Sequence, residues 1–378
     1  MAAIGGEWSE CNPYITLNLS HPLAAATFLY STTENYFFII GVPILIAVGV
    51  LTNSAFIFTV YRVRSMRTIT NAYLVNVAAV DLMFVAFGAG LYLSNYYSSP
   101  VRFDSPYKTW IGCAGSFGFV YVTYSTSLVL ITLVAIERYC AICRPLQLRA
   151  ISGKGRTTKL IIASWLLGVL LAACVVPRYS GNDIYCAIWP NNPTFASFPR
   201  VIKFCVAAHP DIYIFSEALN VIPFALSMIG NLFMYTHIII TLGRRPSLKQ
   251  SDGKFDASAQ QMNRVRNQVA RLLIINGLMF FATQAPFRVT SIHNMLAHNT
   301  GTGLFTKEEY GILLLITRCL VIINSCVNPI VFFLTSSLYR HAFYKAFGFA
   351  SRDTIKGGED TKMSTISGRT YSVHETIT

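Results

Sequence analysis

Charged residues are scarce in this chain. Of its 378 residues, only 12% are charged and 53% are hydrophobic, whereas soluble domains average roughly 25% charged residues. A chain this long and this apolar cannot hide its apolar surface in an ordinary water-soluble domain, and this composition also excludes intrinsic disorder. Its nine cysteines are too sparse for a disulfide scaffold, and no Cys/His spacing predicts a zinc or other metal site.

Three further features are missing from the sequence. Residues 1–33 lack a basic stretch followed by an apolar run and a small-residue cleavage site, so we predict no cleaved signal peptide. No internal repeat of the transporter type is visible. No group of residues forms a catalytic constellation, so we do not expect an enzyme.

Seven long apolar segments dominate the chain. A helix needs about 20 mainly apolar residues to cross a bilayer, and residues 36–61 contain no charged residue. The predicted spans are residues 36–62, 69–96, 110–143, 155–177, 212–243, 264–296 and 307–334. The sequence therefore predicts an all-α membrane protein, with a seven-transmembrane helix bundle over residues 36–335.

The formal net charge of +13 is explained by where the cations lie. One side of the predicted membrane holds 22 of the 30 Lys and Arg residues, and the positive-inside rule makes that side cytoplasmic. We therefore expect a multi-pass plasma-membrane protein with residues 1–35 outside, a cytoplasmic C-terminus and no nucleic-acid partner. A glycosylation sequon at Asn18 agrees with this orientation, although such short sequons also occur by chance.

Two segments follow the seventh span. Residues 336–347 place apolar side chains on one helical face, which predicts a short amphipathic helix lying on membrane lipid of the inner leaflet. Residues 348–378 are polar and rich in Ser and Thr, so we expect a disordered cytoplasmic tail. That tail could be phosphorylated and recruit arrestin, or it could be inert.

Characteristic residues occur in every predicted span. They are Asn53, Asp81, Glu137-Arg138-Tyr139, Trp165, Pro223, Phe280 with Pro286, and Asn328-Pro329. In this order, they resemble the rhodopsin-like G-protein-coupled receptors over nearly the whole transmembrane region. Residues 66–75, 136–143, 286–288 and 318–329 are most similar to the thyrotropin-releasing hormone and ecdysis-triggering hormone group of neuropeptide receptors.

This resemblance implies a receptor for a short peptide that signals through a heterotrimeric G protein, of the Gq type by analogy with the subgroup. Val120 stands where amine receptors have an aspartate, and Ile322 stands where opsins have a lysine, so amine and retinal ligands are not expected. Two other readings stay open. One is a seven-span transporter or channel, and the other is a receptor for a different small ligand with altered switching.

Arg288 and Arg318 are the main candidates for ligand binding. Guanidinium groups inside a membrane span are costly unless they face a wet cavity or find acceptors, so we expect an outward-open cavity there. The resemblance adds Tyr121 to this site, and it places Phe287 and Ser125 where the hormone-receptor group has a tyrosine and an asparagine. Alternatively, one arginine is structural and pairs with Glu217 or with backbone carbonyls.

Asp81 is a carboxylate deep in the second span, and other oxygen-bearing side chains lie at comparable depth. Hard cations prefer oxygen ligands, so this depth suits an allosteric sodium ion, and we expect no other cofactor. A water-filled polar network without an ion is the alternative. The candidate ligands are Asp81, Ser127, Asn324 and Asn328, with Asn53 and Ser325 nearby.

The resemblance also implies a switch that couples to the G protein. Arg138 would lock to Glu137 at rest beside Tyr139, and it would meet the G protein when the sixth span moves outward. A snorkelling interface arginine is the alternative. Phe280 belongs to the switch, whereas Gln284, Asn231 and Phe333 depart from the family's usual tryptophan and two tyrosines.

Cys113 and Cys186 fall on the outer, oxidising side of the predicted membrane, where disulfides persist. By resemblance, these two cysteines tie the third span to the second outer loop. Cys11 and Cys205 are left on the same side and could pair or stay free.

Overall fold

The computed structural model describes residues 16–107, 109–147, 153–244 and 257–349. Within these ranges, seven helices are long and apolar enough to cross a membrane, which confirms the predicted bundle. They are α1 (Thr32–Arg62), α2 (Ile69–Ser98), α3 (Trp110–Cys143), α4 (Gly155–Tyr179), α5 (Pro210–Arg244), α6 (Asn267–Thr300) and α7 (Lys307–Thr335). The helix that contains α6 already begins at Ala257.

The bundle buries its core around α3, which packs against α2, α4 and α5. Tyr73, Leu130 and Phe280 belong to this core, and each is almost completely buried. By contrast, Leu51 and Leu226 are 69% and 66% exposed. Large apolar side chains on the outer surface of a bundle are expected where the neighbour is lipid rather than water.

A three-stranded sheet caps one end of the bundle, and the sequence reading did not predict it. Strand β1 (Thr16–Asn18) pairs in parallel with β2 (Gly181–Ile188), and β2 pairs antiparallel with β3 (Val201–Val206). A separate small core of buried apolar residues supports the sheet. Its members are Leu19, Ala25, Val101, Ala187 and Ile202.

The predicted disulfide between Cys113 and Cys186 is wrong. Cys113 is bonded to Cys205, with their Cα atoms 5.7 Å apart. The register of the β2–β3 hairpin explains the choice, because Cys205 lies opposite Asn182 whereas Cys186 lies four residues farther along β2, opposite Val201. Four residues of strand span about 13 Å, so the two cysteines cannot exchange places, and Cys186 is engaged in a disulfide of its own.

The predicted short helix after the seventh span is present as α8 (Ser337–Phe347), and it ends at Gly348 in the left-handed conformation with φ 76°. One side of this helix packs against the bundle. Tyr339, Ala342 and Ala346 are buried against the bundle, whereas Leu338 and Phe347 are 40% and 41% exposed. The proposed disordered tail lies outside the described residues, apart from Gly348 and Phe349.

Candidate ligand cavity and cytoplasmic switch region

A cavity of about 190 Å³ opens between α2, α3, α6 and α7. It brings together most of the residues that the sequence singles out on four different helices. At its outer level it is lined by Tyr121, Phe287, Arg288 and Arg318, followed by Gln284 and Phe280, with Asp81, Ser127 and Asn324 at its deep end. One continuous cavity therefore joins the predicted ligand residues to the predicted sodium residues.

Arg288 lines the cavity but is already partly satisfied by the protein. Its side chain is buried, and Nη1 donates to the backbone oxygen of Asn220 at 2.9 Å. The guanidinium carbon lies 4.3 Å from the ring centroid of Tyr124 and 4.6 Å from that of Phe287, within the range of cation–π attraction. Nη1 also lies 3.4 Å from Asn220 Oδ1, and the Phe224 ring centroid is 5.5 Å from the guanidinium carbon, so two hydrogen bonds and three aromatic rings hold this guanidinium in place on α6.

Arg318 is held much more loosely than Arg288. Its side chain is only half-buried, and its guanidinium carbon lies 5.9 Å from the ring centroid of Tyr92 and 6.0 Å from that of Phe38. In the described part of the chain, no carboxylate or carbonyl accepts a hydrogen bond from it. An arginine offers five N–H donors in a planar fork, so Arg318 presents unused donors to the cavity.

Tyr121 sits between the two sides of the cavity. Its hydroxyl accepts a hydrogen bond from Asn220 Nδ2 at 3.1 Å and lies 3.3 Å from the hydroxyl of Tyr179. The Tyr179 ring stacks on Phe117 with centroids 4.0 Å apart, and both rings line the cavity. Sequence reasoning missed Tyr179, because it lies two residues beyond the predicted end of the fourth span, in a short 3₁₀ turn.

The prediction that Ser125 contacts the ligand is not supported by its position. Ser125 is buried on α3 but is not among the residues that line the cavity. It follows Tyr124, whose ring does line the cavity, and neighbouring residues on a helix project in directions about 100° apart.

Glu217 is engaged with residues other than the two cavity arginines. Its Oε1 lies 2.6 Å from Nη1 of Arg178 and accepts a hydrogen bond from Asn294 Nδ2 at 2.9 Å. Asn294 Oδ1 in turn accepts from the hydroxyl of Tyr310 at 2.8 Å. The alternative that pairs Arg288 or Arg318 with Glu217 is therefore wrong, although Arg288 does use a backbone carbonyl.

A second ion pair lies close to the outer end of α1. Arg102 Nη2 is 3.0 Å from Glu34 Oε1 and 3.4 Å from the backbone oxygen of Gly311, so it ties the loop after α2 to α1 and α7. Burial lowers the pKa of Arg102, and the Glu34 carboxylate opposes that effect. Glu34 is thereby also unavailable to the cavity arginines.

The deep end of the cavity has the chemistry of a site for a small cation. Asp81 is buried, and its Oδ2 accepts a hydrogen bond from Asn328 Nδ2 at 2.6 Å. The buried hydroxyl of Ser127 has no hydrogen-bond partner among the described residues. Asn324 Oδ1 accepts a hydrogen bond from Thr283 Oγ1 at 3.0 Å and keeps a second lone pair, so a sodium ion held by Asp81, Ser127 and Asn324 stays a prediction.

The transmembrane region matches one known family. The sequence profile of the 7 transmembrane receptor (rhodopsin family) covers residues 52–332. The chain belongs to this family. The family consists of receptors rather than enzymes, transporters or channels, and this receptor is a multi-pass plasma-membrane protein.

Curated relatives of the receptor share about a quarter of its residues. It is 27% identical to the thyrotropin-releasing hormone receptor of Mus musculus over 365 residues, which cover 89% of this chain and 84% of the relative. The corresponding human receptor is 26% identical over 84% of this chain and 79% of its own length. Neuromedin-U receptor 1 of Rattus norvegicus is 23% identical, with 89% and 79% coverage. These similarities confirm the resemblance stated from the motifs.

Glu137 and Arg138 each contact another helix among the described residues, and a resting lock between them stays a prediction. Glu137 Oε2 lies 3.7 Å from Nη1 of Arg156 on α4, whereas Arg138 Nη2 donates to Thr70 Oγ1 on α2. Each of the two side chains therefore links α3 to a different neighbouring helix. Tyr139 packs on α5, with its ring centroid 6.1 Å from that of His237.

The remaining switch residues lie at several levels of the receptor. Phe280 and Gln284 are buried on α6 and line the cavity. Asn231 Nδ2 bridges α5 to Thr132 Oγ1 on α3 at 3.2 Å. Phe333 packs against α8 instead, 5.3 Å between centroids from Phe343.

Sequence reasoning missed Tyr235, whose buried hydroxyl lies directly against Gly277 of α6. Because the Tyr235 hydroxyl of α5 occupies this space, position 277 of α6 has no room for a residue larger than glycine. No motif pointed to it, because the approach depends on how the two helices are rotated.

Asn18 is exposed at the end of β1. Its Oδ1 accepts hydrogen bonds from the backbone nitrogen of Ser20 at 3.1 Å and from the Ser20 hydroxyl at 2.7 Å. The sequon is therefore accessible in the folded receptor, and its use as a glycosylation site stays a prediction.

Proposed function

We propose that the receptor is activated by a short peptide that places a hydrogen-bond acceptor against Arg318. The observation that carries this proposal is the half-buried Arg318 guanidinium, which faces the cavity and has no hydrogen-bond acceptor within the part of the chain that the structure describes. Charge-assisted bonds from arginine favour a carboxylate or an amide carbonyl. Both nearby carboxylates, Glu34 and Glu217, are paired with Arg102 and Arg178, so the outer cavity is electropositive and repels a cationic ligand.

The aromatic lining supports a peptide in particular. Phe117, Tyr121, Tyr179 and Phe287 surround the outer level of the cavity, and aromatic walls with a few polar groups are typical of small-ligand sites. Relatives named as receptors for thyrotropin-releasing hormone and neuromedin U point to the same ligand class. Phe287 and Ser125 stand where the hormone-receptor group has a tyrosine and an asparagine. These two differences argue for a peptide other than thyrotropin-releasing hormone.

The proposed orientation places the sheet and the cavity mouth outside the cell and α8 at the cytoplasmic surface. The distribution of Lys and Arg supports it. The Cys113–Cys205 disulfide and the exposed sequon at Asn18 lie on the same side as the cavity mouth, and disulfides persist in oxidising compartments.

Signalling would run through a heterotrimeric G protein of the Gq type, with arrestin binding to the phosphorylated tail. Arg138 and Tyr139 lie at the cytoplasmic end of α3, next to the ends of α2 and α5. An outward movement of α6 would expose this end of α3. In the resting state, Asp81 and Ser127 would hold a sodium ion at the base of the ligand cavity.

The decisive experiment measures G-protein dissociation in cells that express the receptor with a panel of Gα subunits. The cells are exposed to a library of short peptides, each supplied with a C-terminal amide and as the free acid. We expect activation by one peptide class, strongest with Gq-type subunits. Activation only by cationic amines would contradict the ligand proposal, and activation without any Gq-type response would contradict the coupling proposal.

A second candidate function is a receptor with altered switching. The contacts of Glu137 with Arg156 and of Arg138 with Thr70 support it, because they engage these two residues with α4 and α2. Gln284 in place of a tryptophan points the same way. This reading predicts measurable ligand-independent G-protein dissociation that is lowered by the substitution Gln284→Trp.

A further inference from the structure

An apolar groove lies on the lipid-facing surface of the bundle. None of the residues that line it also lines the ligand cavity. The groove has a volume of about 320 Å³ and runs between α1 and α7, with α8 closing its cytoplasmic end. Its α1 wall extends from Leu51 to Thr59, which is about 12 Å at 1.5 Å per residue. The opposite wall includes Ile330 and Phe333, and Phe343 of α8 forms the floor.

Every hydroxyl in the lining of this groove is already bonded to the protein. Thr52 Oγ1 donates to the backbone oxygen of Cys326 at 3.2 Å, and Thr59 Oγ1 donates to that of Ala55 at 2.8 Å. The hydroxyl of Tyr339 donates to Asn71 Oδ1 at 2.6 Å. The O–H donors of the lining are therefore all used inside the protein, which favours a hydrocarbon chain over a polar ligand that needs hydrogen-bond donors.

The cytoplasmic rim of the groove is cationic. Arg62 follows Thr59 by three residues on α1, so it lies on the same face one turn nearer the membrane surface, where it is exposed. Arg340 Nη1 donates to the backbone oxygen of Leu334 at 2.8 Å and to that of Phe333 at 3.4 Å. This bond fixes the Arg340 guanidinium beside Phe333, and α8 contains Lys345 but no acidic residue.

We propose that this groove binds one acyl chain of an anionic phospholipid of the cytoplasmic leaflet, with the lipid headgroup between Arg62 and Arg340. Anionic lipids of this leaflet attract basic side chains at the membrane surface. The bound chain fills the space between α1, α7 and α8, and it holds α8 against the bundle. This inference rests on the proposed orientation, not on the proposed peptide ligand.

The test is native mass spectrometry of the purified full-length receptor in detergent, titrated with phosphatidylserine or with phosphatidylcholine of identical acyl chains. We expect one tightly retained phosphatidylserine, with retention at least about tenfold above phosphatidylcholine because two arginines contact the headgroup. Equal retention of the two lipids, or displacement of phosphatidylserine by cholesterol, would overturn the proposal.

Two sets of variants locate the lipid. Ala55→Trp fills the groove and should abolish retention of both lipids, whereas Ser54→Trp places the same side chain at the adjacent, exposed position outside the groove lining and should leave retention unchanged. Ala55→Phe serves where the larger variant does not fold. The double variant Arg62→Gln/Arg340→Gln should keep a bound lipid but bring the ratio of phosphatidylserine to phosphatidylcholine retention close to one.

If Ala55→Trp retains as much phosphatidylserine as Ser54→Trp does, the lipid binds elsewhere and the proposed groove site is wrong. The assay uses neither peptide nor G protein. Its failure would therefore leave the proposed receptor function untouched, and a failed ligand screen would leave the groove untouched.

Discussion

Arg178 Nη1 lies 2.6 Å from Glu217 Oε1, and this buried ion pair joins the end of α4 to α5. Asn294 and Tyr310 extend it by two hydrogen bonds to α6 and α7. The Arg178 guanidinium also lies 4.2 Å from the ring centroid of Tyr213. The Glu217 carboxylate and Asn294 thus link four helices, and that carboxylate is not available to Arg288 or Arg318.

Replacing Glu217 should destabilise the receptor. The substitution Glu217→Gln leaves the buried Arg178 without its counter-charge, and breaking a buried ion pair by removing one partner typically costs about 3–5 kcal/mol. We expect a clearly lower thermal unfolding temperature in detergent. Removing both charges in Arg178→Gln/Glu217→Gln should recover part of this loss, because no uncompensated charge remains buried.

Asp211→Asn is the matched control, since Asp211 is an exposed acid at the start of the same helix. It should change the unfolding temperature very little, because exposed pairs contribute at most about 1 kcal/mol. An unfolding temperature of Glu217→Gln equal to that of Asp211→Asn would mean that the ion pair does not hold the outer ends of the helices together.

The seven spans and α8 were predictable because hydropathy and helical periodicity depend only on the local sequence. The depth of each side chain in the membrane was also predictable, since each residue of a helix adds a fixed rise along its axis. For this reason Arg288, Arg318 and Tyr121 reach one cavity, with Asp81 and Ser127 beneath it. The sequence thus predicted which residues lie at the same level.

Which side chains contact each other across the bundle was not predictable from the sequence in the same way. Whether Glu217 reaches Arg178 or Arg288 depends on the rotation of each helix about its axis, which spacing along the chain does not determine. The contact of Arg138 with Thr70 on α2 depends on the same rotation. Cys113 had two candidate partners in one loop, and only the register of the β2–β3 hairpin selects Cys205 over Cys186.

The corrected disulfide makes a direct prediction. Peptide mapping of the non-reduced receptor should recover Cys113 linked to Cys205, and Cys186→Ser should leave that linked peptide in place. Cys205→Ser should reduce surface expression strongly. The bond closes a loop with a sequence separation of 92 residues, and the chain-entropy estimate for a loop of that length is about 4–5 kcal/mol. Recovery of a Cys113–Cys186 peptide would show that the hairpin register is different.

The proposed sodium site predicts a salt effect on agonist binding. If sodium binds Asp81 only in the resting state, it should lower agonist affinity, because a ligand shifts an equilibrium only by binding one state better. Asp81→Asn should abolish this effect, as the carboxylate is the one charged ligand. The measurement is agonist binding in sodium chloride against an equal concentration of N-methylglucamine chloride. Sodium-independent binding to the unmodified receptor would rule out the site.

The two cavity arginines should respond differently to substitution. Arg318→Ala should weaken the agonist while leaving surface expression and thermal stability unchanged, because no carboxylate or carbonyl of the described residues accepts a hydrogen bond from Arg318. Losing a hydrogen bond to a charged group typically costs about 1.5–3 kcal/mol, which corresponds to roughly 10- to 150-fold in affinity. Arg288→Ala should weaken the agonist and also lower the unfolding temperature, since Asn220 then loses the donor to its backbone oxygen.

Two further variants, Arg318→Lys and Lys307→Ala, test whether Arg318 contributes the geometry of its guanidinium or only its charge. Arg318→Lys should restore affinity only in part, because lysine keeps the charge but lacks the planar fork that binds two acceptor atoms at once. Lys307→Ala removes an exposed cation at the outer start of the same helix, so it should change affinity little. Binding isotherms on surface-expressed variants give the comparison. An unchanged affinity in Arg318→Ala would remove the guanidinium from the ligand site, and full rescue by Arg318→Lys would mean that Arg318 contributes only its charge.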